Sequence, residues 1–219
     1  MNTNSLRHRV RTTLISQAHR PRGFLGHLNG LLFAYRSSNR RRNRWVVGLL
    51  DVQPTDRVLE IGFGPGIAIH ELARRAGHVF GVDHSAVMVR HAGRRNAAAV
   101  RAGRVELIQA SVIALPRFAE PLDAILAVNT VGMWPEPVRR LTELRALLRA
   151  GGRIALVSQP RCPGATADTT ARAAAELSDH LTRAGFAELT VSTLPLDPPV
   201  ACVRAISPVT NAAPEVSKG

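Results

Sequence analysis

Apolar residues recur along this chain in two rhythms. Phe24, Leu25, Leu28, Leu31, Leu32 and Tyr35 return at helical spacing, as do Trp45, Val46, Leu49 and Leu50 after the basic run Arg40–Arg44. Pro54 interrupts, and from Arg57 onward short continuous apolar runs alternate with longer amphipathic ones. The runs Val58–Ile61, Val79–Val82, Val105–Ile108, Leu122–Val128 and Ile154–Val157 read as strands buried on both faces, the pattern of a parallel sheet. Helices are expected between them over Ile67–Ala76, Ala86–Arg101 and Val138–Arg149. A last helix over Asp168–Ala184 leads to strands at Ala187–Leu194 and Val200–Ile206, joined by a short link from Pro195 to Pro199 that predicts antiparallel pairing at one edge. Strands alternating with helices imply right-handed βαβ units and a doubly wound open sheet. The expected organisation is a basic helical extension or lid over 1–50, one α/β domain over 51–206, and a disordered tail over 207–219.

Composition narrows the class. With 219 residues, 45% hydrophobic and 21% charged, the chain can bury a core without metals or disulfides. No window approaches a membrane-spanning length, and no export signal is apparent at the N-terminus, so a cytoplasmic location is expected. Cys162 and Cys202 are too few for a structural zinc site, and no metal is expected. The formal charge is +13, and its distribution is uneven: the first 50 residues hold ten arginines and no acid, the first carboxylate being Asp51. That asymmetry bears on partners rather than on fold.

The segment Val58-Leu59-Glu60-Ile61-Gly62-Phe63-Gly64-Pro65-Gly66 carries the candidate chemistry. A buried strand runs into glycines at alternate positions and then into a helix, where an open α/β sheet binds ligands. A dinucleotide fingerprint would need its third glycine at the position of Ile67, and Pro65 removes a donor; the Gly-Lys-Ser/Thr of a phosphate loop is missing too. Gly81-Val82-Asp83 ends the next strand, where the Asp83 carboxylate can accept both hydroxyl protons of a ribose.

Together these blocks resemble the class I S-adenosylmethionine (SAM)-dependent methyltransferases, in particular the UbiE-like, type 11 branch that acts on small molecules. The resemblance covers about residues 43–206. Glu60 to Gly66 looks like the family's glycine loop, and Asp83-His84-Ser85 with Met88 like its ribose and adenine-side block. Ala110-Ser111-Val112 with Leu115-Pro116 is similar to the segment flanking the adenine, Asp123 to Asn129 to the fourth strand, and Leu148 to Arg153 to the turn into the fifth. The resemblance implies a Rossmann-like, seven-stranded, mainly parallel sheet with an antiparallel edge and SAM as cofactor. It further implies that Glu60, Gly62, Phe63, Gly64 and Gly66 surround the methionine part. Asp83 and His84 would lie at the ribose, Met88, Ser111 and Val112 at the adenine, and Asn129 near the methyl group. Two departures stand out. Ser111 occupies a position that often carries an acid, and Asn129-Thr130-Val131-Gly132 lacks the Asn-Pro-Pro-aromatic motif of enzymes that methylate amide or exocyclic amino nitrogens.

The acceptor expected from this resemblance is a small molecule, apolar or anionic, methylated at O, N or C. The alternatives are a nucleic-acid-modifying enzyme that uses the Arg-rich N-terminus, contact of that segment with an anionic membrane, or a SAM-binding protein without turnover. Only Phe24, Phe33, Tyr35 and Trp45 are aromatic in the basic segment, which argues against a base-stacking platform. Trp134 reads equally as pocket lining or as packing under a loop, and Cys162, just beyond the fifth strand, as inert or as a nucleophile.

Overall fold

The structure is a computed structural model that describes residues 37–208; the arm, the helical stripe over 24–35 and the tail beyond 208 lie outside the described residues. It opens with helix α1 (Ser37–Leu49) and strand β1 (Arg57–Ile61), then α2 (Ile67–Leu72), β2 (His78–Asp83), α3 (Ala86–Arg95), α4 (Ala97–Arg101) and β3 (Val105–Gln109). The second half runs β4 (Leu122–Val128), a short 3-10 turn (Val131–Met133), α5 (Pro137–Leu147), β5 (Leu148–Ser158), α6 (Ala167–Arg183), β6 (Ala187–Leu194) and β7 (Val200–Ile206).

The seven strands are ordered β3-β2-β1-β4-β5-β7-β6. Five neighbour in parallel, and β7 lies antiparallel between β5 and β6, so the expected antiparallel pair forms one edge of the sheet. Strand order reverses between β1 and β4, which makes the carboxyl ends of these two strands the crevice of the fold.

Alternation along each strand sorts side chains to two faces. On one, Val58, Ala124, Leu126 and Val157 pack against α1, α2 and α3 through Val46, Ile69, Leu72 and Ala92. On the other, Leu59, Ile61, Ile125 and Leu156 pack against α5 and α6 through Leu141, Leu144, Leu177 and Leu181. Burial on both faces is what the continuous apolar runs encode in β1, β2, β4 and β5; β3, at the sheet edge, is buried only at Val105.

Differences from expectation fall where tertiary contacts override local pattern. The basic run Arg40–Arg44 lies inside α1 rather than ahead of it. Asn39, Arg42, Asn43, Val46, Val47 and Leu50 are all buried, a continuous helical stripe whose first half is polar. Two arginines anchor the far end: Arg204 donates to the Leu49 carbonyl at 2.9 Å and Arg153 to that of Leu50 at 3.0 Å. The helix expected over Ala86–Arg101 breaks at Asn96, which ends α3 and begins α4. Helix α5 stops at Leu147 because Leu148 already pairs with Leu122, across an irregularity in the register of β4 and β5. Ser207 remains paired through its N–H to the Gly152 carbonyl at 2.8 Å.

Candidate functional site

Strand β1 delivers Glu60 and Ile61 to the sheet's carboxyl edge, and the chain then bends through Gly62, Gly64 and Gly66, all at positive φ (70°, 52° and 74°). Only glycine adopts this conformation freely. At Gly62 a Cβ would meet the Thr130 side chain at 2.7 Å, so the bend presses directly against the exit of β4. Thr130 is itself held by the Trp134 indole, which donates to its hydroxyl at 2.7 Å. Trp134 therefore packs beneath the loop and is buried.

Asp83 ends β2 with its carboxylate turned onto this bend. One oxygen accepts the Gly64 N–H at 2.8 Å and the other the Ser85 N–H at 2.9 Å. Helix α3 is capped by Ser85, whose hydroxyl accepts the Met88 N–H, so Asp83 is not needed as a cap. Burial raises the Asp83 pKa against these two N–H groups and the nearby His84. Glu60, 2% exposed, has one oxygen with no hydrogen-bond partner among the described residues. Its pKa is raised well above the usual value by burial and by the neighbouring Asp83 charge. Two adjacent desolvated carboxyls and a half-buried glycine backbone at a strand-order reversal form an incomplete polar site.

The other expected residues lie around this bend to different degrees. His84 is exposed beside Asp83, at 3.7 Å. Met88 is buried in the core beneath the start of α3, and Ser111 and Val112 are half-buried on the loop after β3. Asn129 follows β4 at φ 56° and accepts the Gln159 N–H at 2.7 Å, linking the exits of β4 and β5. Phe63 turns inward: it is buried in the core against Gly81, so only its backbone faces the bend.

Residues absent from the sequence-based set complete the surround. Arg42 of α1 is 7% exposed and donates to the Gln159 side-chain oxygen at 3.0 Å. Asn96 donates to the Gly66 and Ala92 carbonyls at 3.1 and 3.0 Å, fastening the bend to α3. Asn96 showed no signal in the sequence beyond a polar residue inside a predicted helix. Arg42 did leave one, since it continues the spacing of Val46 back by one turn.

The cofactor that the resemblance implies fits these residues. The unpaired Glu60 oxygen can meet a cationic or hydroxyl donor, the Asp83 oxygens retain acceptor capacity for a sugar, and a Cβ at Gly64 would meet nothing within 4 Å, leaving room over the loop. Among the described residues there is no cluster of His, Cys, Asp or Glu that could hold a metal ion.

The two thiols differ sharply. Cys202 is buried and its pKa is pushed up to about 12, whereas Cys162 is exposed. Alkylation of the native protein at pH 8 is therefore expected to modify Cys162 alone, with Cys202 reacting only after denaturation. Cys162→Ser is expected to retain methylation; loss of turnover would revive the nucleophile reading.

Comparison with known proteins bears on the family and the fold. A methyltransferase domain family matches residues 58–152, from β1 to the start of β5. An uncharacterised methyltransferase of Bacillus subtilis, YdaC, is 28% identical over 177 residues, covering 80% of this chain and 96% of the relative. A SAM-dependent methyltransferase from Aquifex aeolicus superimposes with a TM-score of 0.62 at 19% identity, covering 75% of this chain and 88% of that one. The N-methyltransferase NodS of Bradyrhizobium japonicum, solved with S-adenosylhomocysteine (SAH), gives 0.64 at 16% identity over 89% and 96%. Domain match, methyltransferase relative and shared architecture together support a class I SAM-dependent methyltransferase.

Proposed function

We propose that this enzyme methylates a small-molecule acceptor at the mouth formed by the exits of β1, β4 and β5. The observation that carries the reading is the Asp83 carboxylate bonded to the Gly64 N–H, with the unpaired Glu60 oxygen on the adjacent strand. When bound, SAM supplies an activated methyl group on a sulfonium. The chain's own contribution is to hold and desolvate, which for well-aligned reactants lowers a barrier by roughly 7–11 kcal/mol. Asp83 would hold the ribose, the Gly62–Gly66 backbone and Glu60 the amino-acid side, and Ser111 and Val112 the base. Asn129 ties the β4 exit to Gln159 and so fixes the floor on which an acceptor rests. Met133 and Ile113, exposed on the loops after β4 and β3, support an apolar rim for that acceptor.

A second reading rests on a separate observation. On α1, α3 and α4, Arg40, Arg41, Arg44, Arg90, Arg94 and Arg101 are exposed, while the one acid on helices α1–α4 is the buried Glu71. Helices α5 and α6, by contrast, carry Glu143, Asp168, Glu176 and Asp179 among their arginines. A one-sided basic face suits a phosphate backbone.

One experiment separates the readings. Host extract is incubated with the enzyme and methyl-labelled SAM, then split into small-molecule and nucleic-acid pools. Label in the small-molecule pool, as a product heavier by one methylene, is the expected result. Label confined to RNA favours the second reading. No label in either pool, with SAH still bound, would mean a binding protein and overturn the proposal.

A further inference from the structure

The charge of this molecule is divided by its sheet. Residues 37–104 hold twelve arginines and five acids, whereas residues 105–208 hold ten of each, so the cation excess of the described residues belongs to the first half. An arginine-rich composition alone would load both halves. Of the five acids, Asp56, Glu60, Glu71 and Asp83 are buried, which leaves Asp51 exposed. Helices α1 to α4 pack on one face of the sheet, and α5 and α6 on the other. Seven of the ten exposed side chains on α1 to α4 are arginines; the other three are His70, Ala98 and Val100. The loops between these helices add Arg74 and Arg104. The amides on or between these helices, Asn39, Asn43 and Asn96, are buried, and their one Phe, Tyr or Trp, Trp45, is half-buried against the core. Such a surface offers donors to phosphate but lacks the amides that read base edges and the rings on which bases stack.

We infer that the α1–α4 face docks on an anionic phospholipid surface. A bilayer presents its phosphates and carboxylates as a plane, which suits cations spread over several helices, and each basic residue near it raises affinity about fivefold. The segment ahead of α1 continues the pattern in sequence: residues 1–36 hold six arginines, no acid, and the apolar Phe24, Leu25, Leu28, Leu31 and Leu32. That mixture of basic and apolar positions suits a lipid interface better than a nucleic-acid arm. The face runs up to the mouth of the cleft, where Arg95 donates to the Pro65 carbonyl of the bend at 2.9 Å.

The test floats the full chain, without cofactor, on vesicles of phosphatidylcholine alone or with about 30% phosphatidylserine, in about 0.15 M salt. One variant combines Arg41→Gln, Arg90→Gln and Arg94→Gln. A control combines Arg139→Gln, Arg172→Gln and Arg183→Gln on α5 and α6, removing the same charge from the other face. All six side chains are exposed, so both proteins should fold. Wild type and control are expected to bind the anionic vesicles and not the neutral ones, with the basic-face variant weaker on the order of 100-fold. Duplex RNA added at equal phosphate should leave the wild type on the vesicles. The inference is overturned by a wild type that binds no vesicles or both kinds equally, or by transfer of the protein to RNA. Equal weakening in both variants, or none in the basic-face variant, overturns it too. Neither cofactor nor acceptor is present, so these outcomes leave the methyl-transfer reading untouched.

Discussion

Asp83→Ala is expected to weaken SAM binding at least tenfold, measured by calorimetry, and to lower the melting temperature of the ligand-free protein as well. The affinity loss follows from removing the one carboxylate that faces the bend from the end of β2. The stability loss follows from orphaning the Gly64 and Ser85 N–H groups, each worth about 1–3 kcal/mol if left buried and unpaired. Unchanged affinity would contradict the assignment of the ribose to Asp83. The same carboxyl sets a pH dependence with two opposed slopes. Burial raises its folded pKa, and the ionised form is the one that accepts sugar hydroxyls, so wild-type affinity should drop on acidification sooner than for an ordinary carboxylate. In the ligand-free protein the folded state holds this proton more tightly than the unfolded chain does. Its contribution to stability is therefore complete below the unfolded value and lost as pH rises through the folded one. Coupling to Glu60, raised for the same reason, makes the two titrate as a pair.

Gly66→Ala should damage folding rather than binding alone. At φ 74° an alanine is strained by roughly 1–2 kcal/mol. Its methyl group would also lie 2.6 Å from the Ala92 Cβ and 3.0 Å from the Ala92 Cα, in the backbone of α3, where overpacking adds about 1–3 kcal/mol. With each kcal/mol shifting the midpoint by roughly 2–4 °C at this size, the melting temperature should fall by about 5–15 °C. Gly64→Ala is the control: φ is also positive, but the new methyl group meets nothing within 4 Å. It should melt lower by about 2–8 °C, from the positive φ alone, and lose SAM affinity as well. Equal melting temperatures for the two variants would refute the packing argument.

Much of this architecture is written in local pattern. The apolar runs located β1 to β5, because strands buried on both faces need apolar residues at nearly every position; the edge pair β6 and β7 was marked instead by its short Pro195–Pro199 link. The glycine spacing with Glu60 and Asp83 located the bend for a related reason: positive φ and a close approach to Thr130 are demands few residues meet. Element ends were less legible. Asn96 breaks a helix because its side chain is drawn to the Gly66 carbonyl, 30 positions away in the chain. Phe63 reads as a loop residue beside the ligand, yet its ring packs into the core over Gly81, in the space a Cβ there would take.

What the sequence determined by itself was the doubly wound sheet and the place of its ligand bend, since both follow from hydrophobic period and backbone constraint within a few residues. The tertiary structure alone decided that Arg42, one of five residues in a basic run, is buried beside Glu60 and shares Gln159 with Arg161. Residues 42, 60, 159 and 161 meet only because the first turns of α1 reach the exits of β1 and β5. A charge run looks the same in sequence whether it faces water or a cleft, and the difference is set by which helix face the distant strands cover.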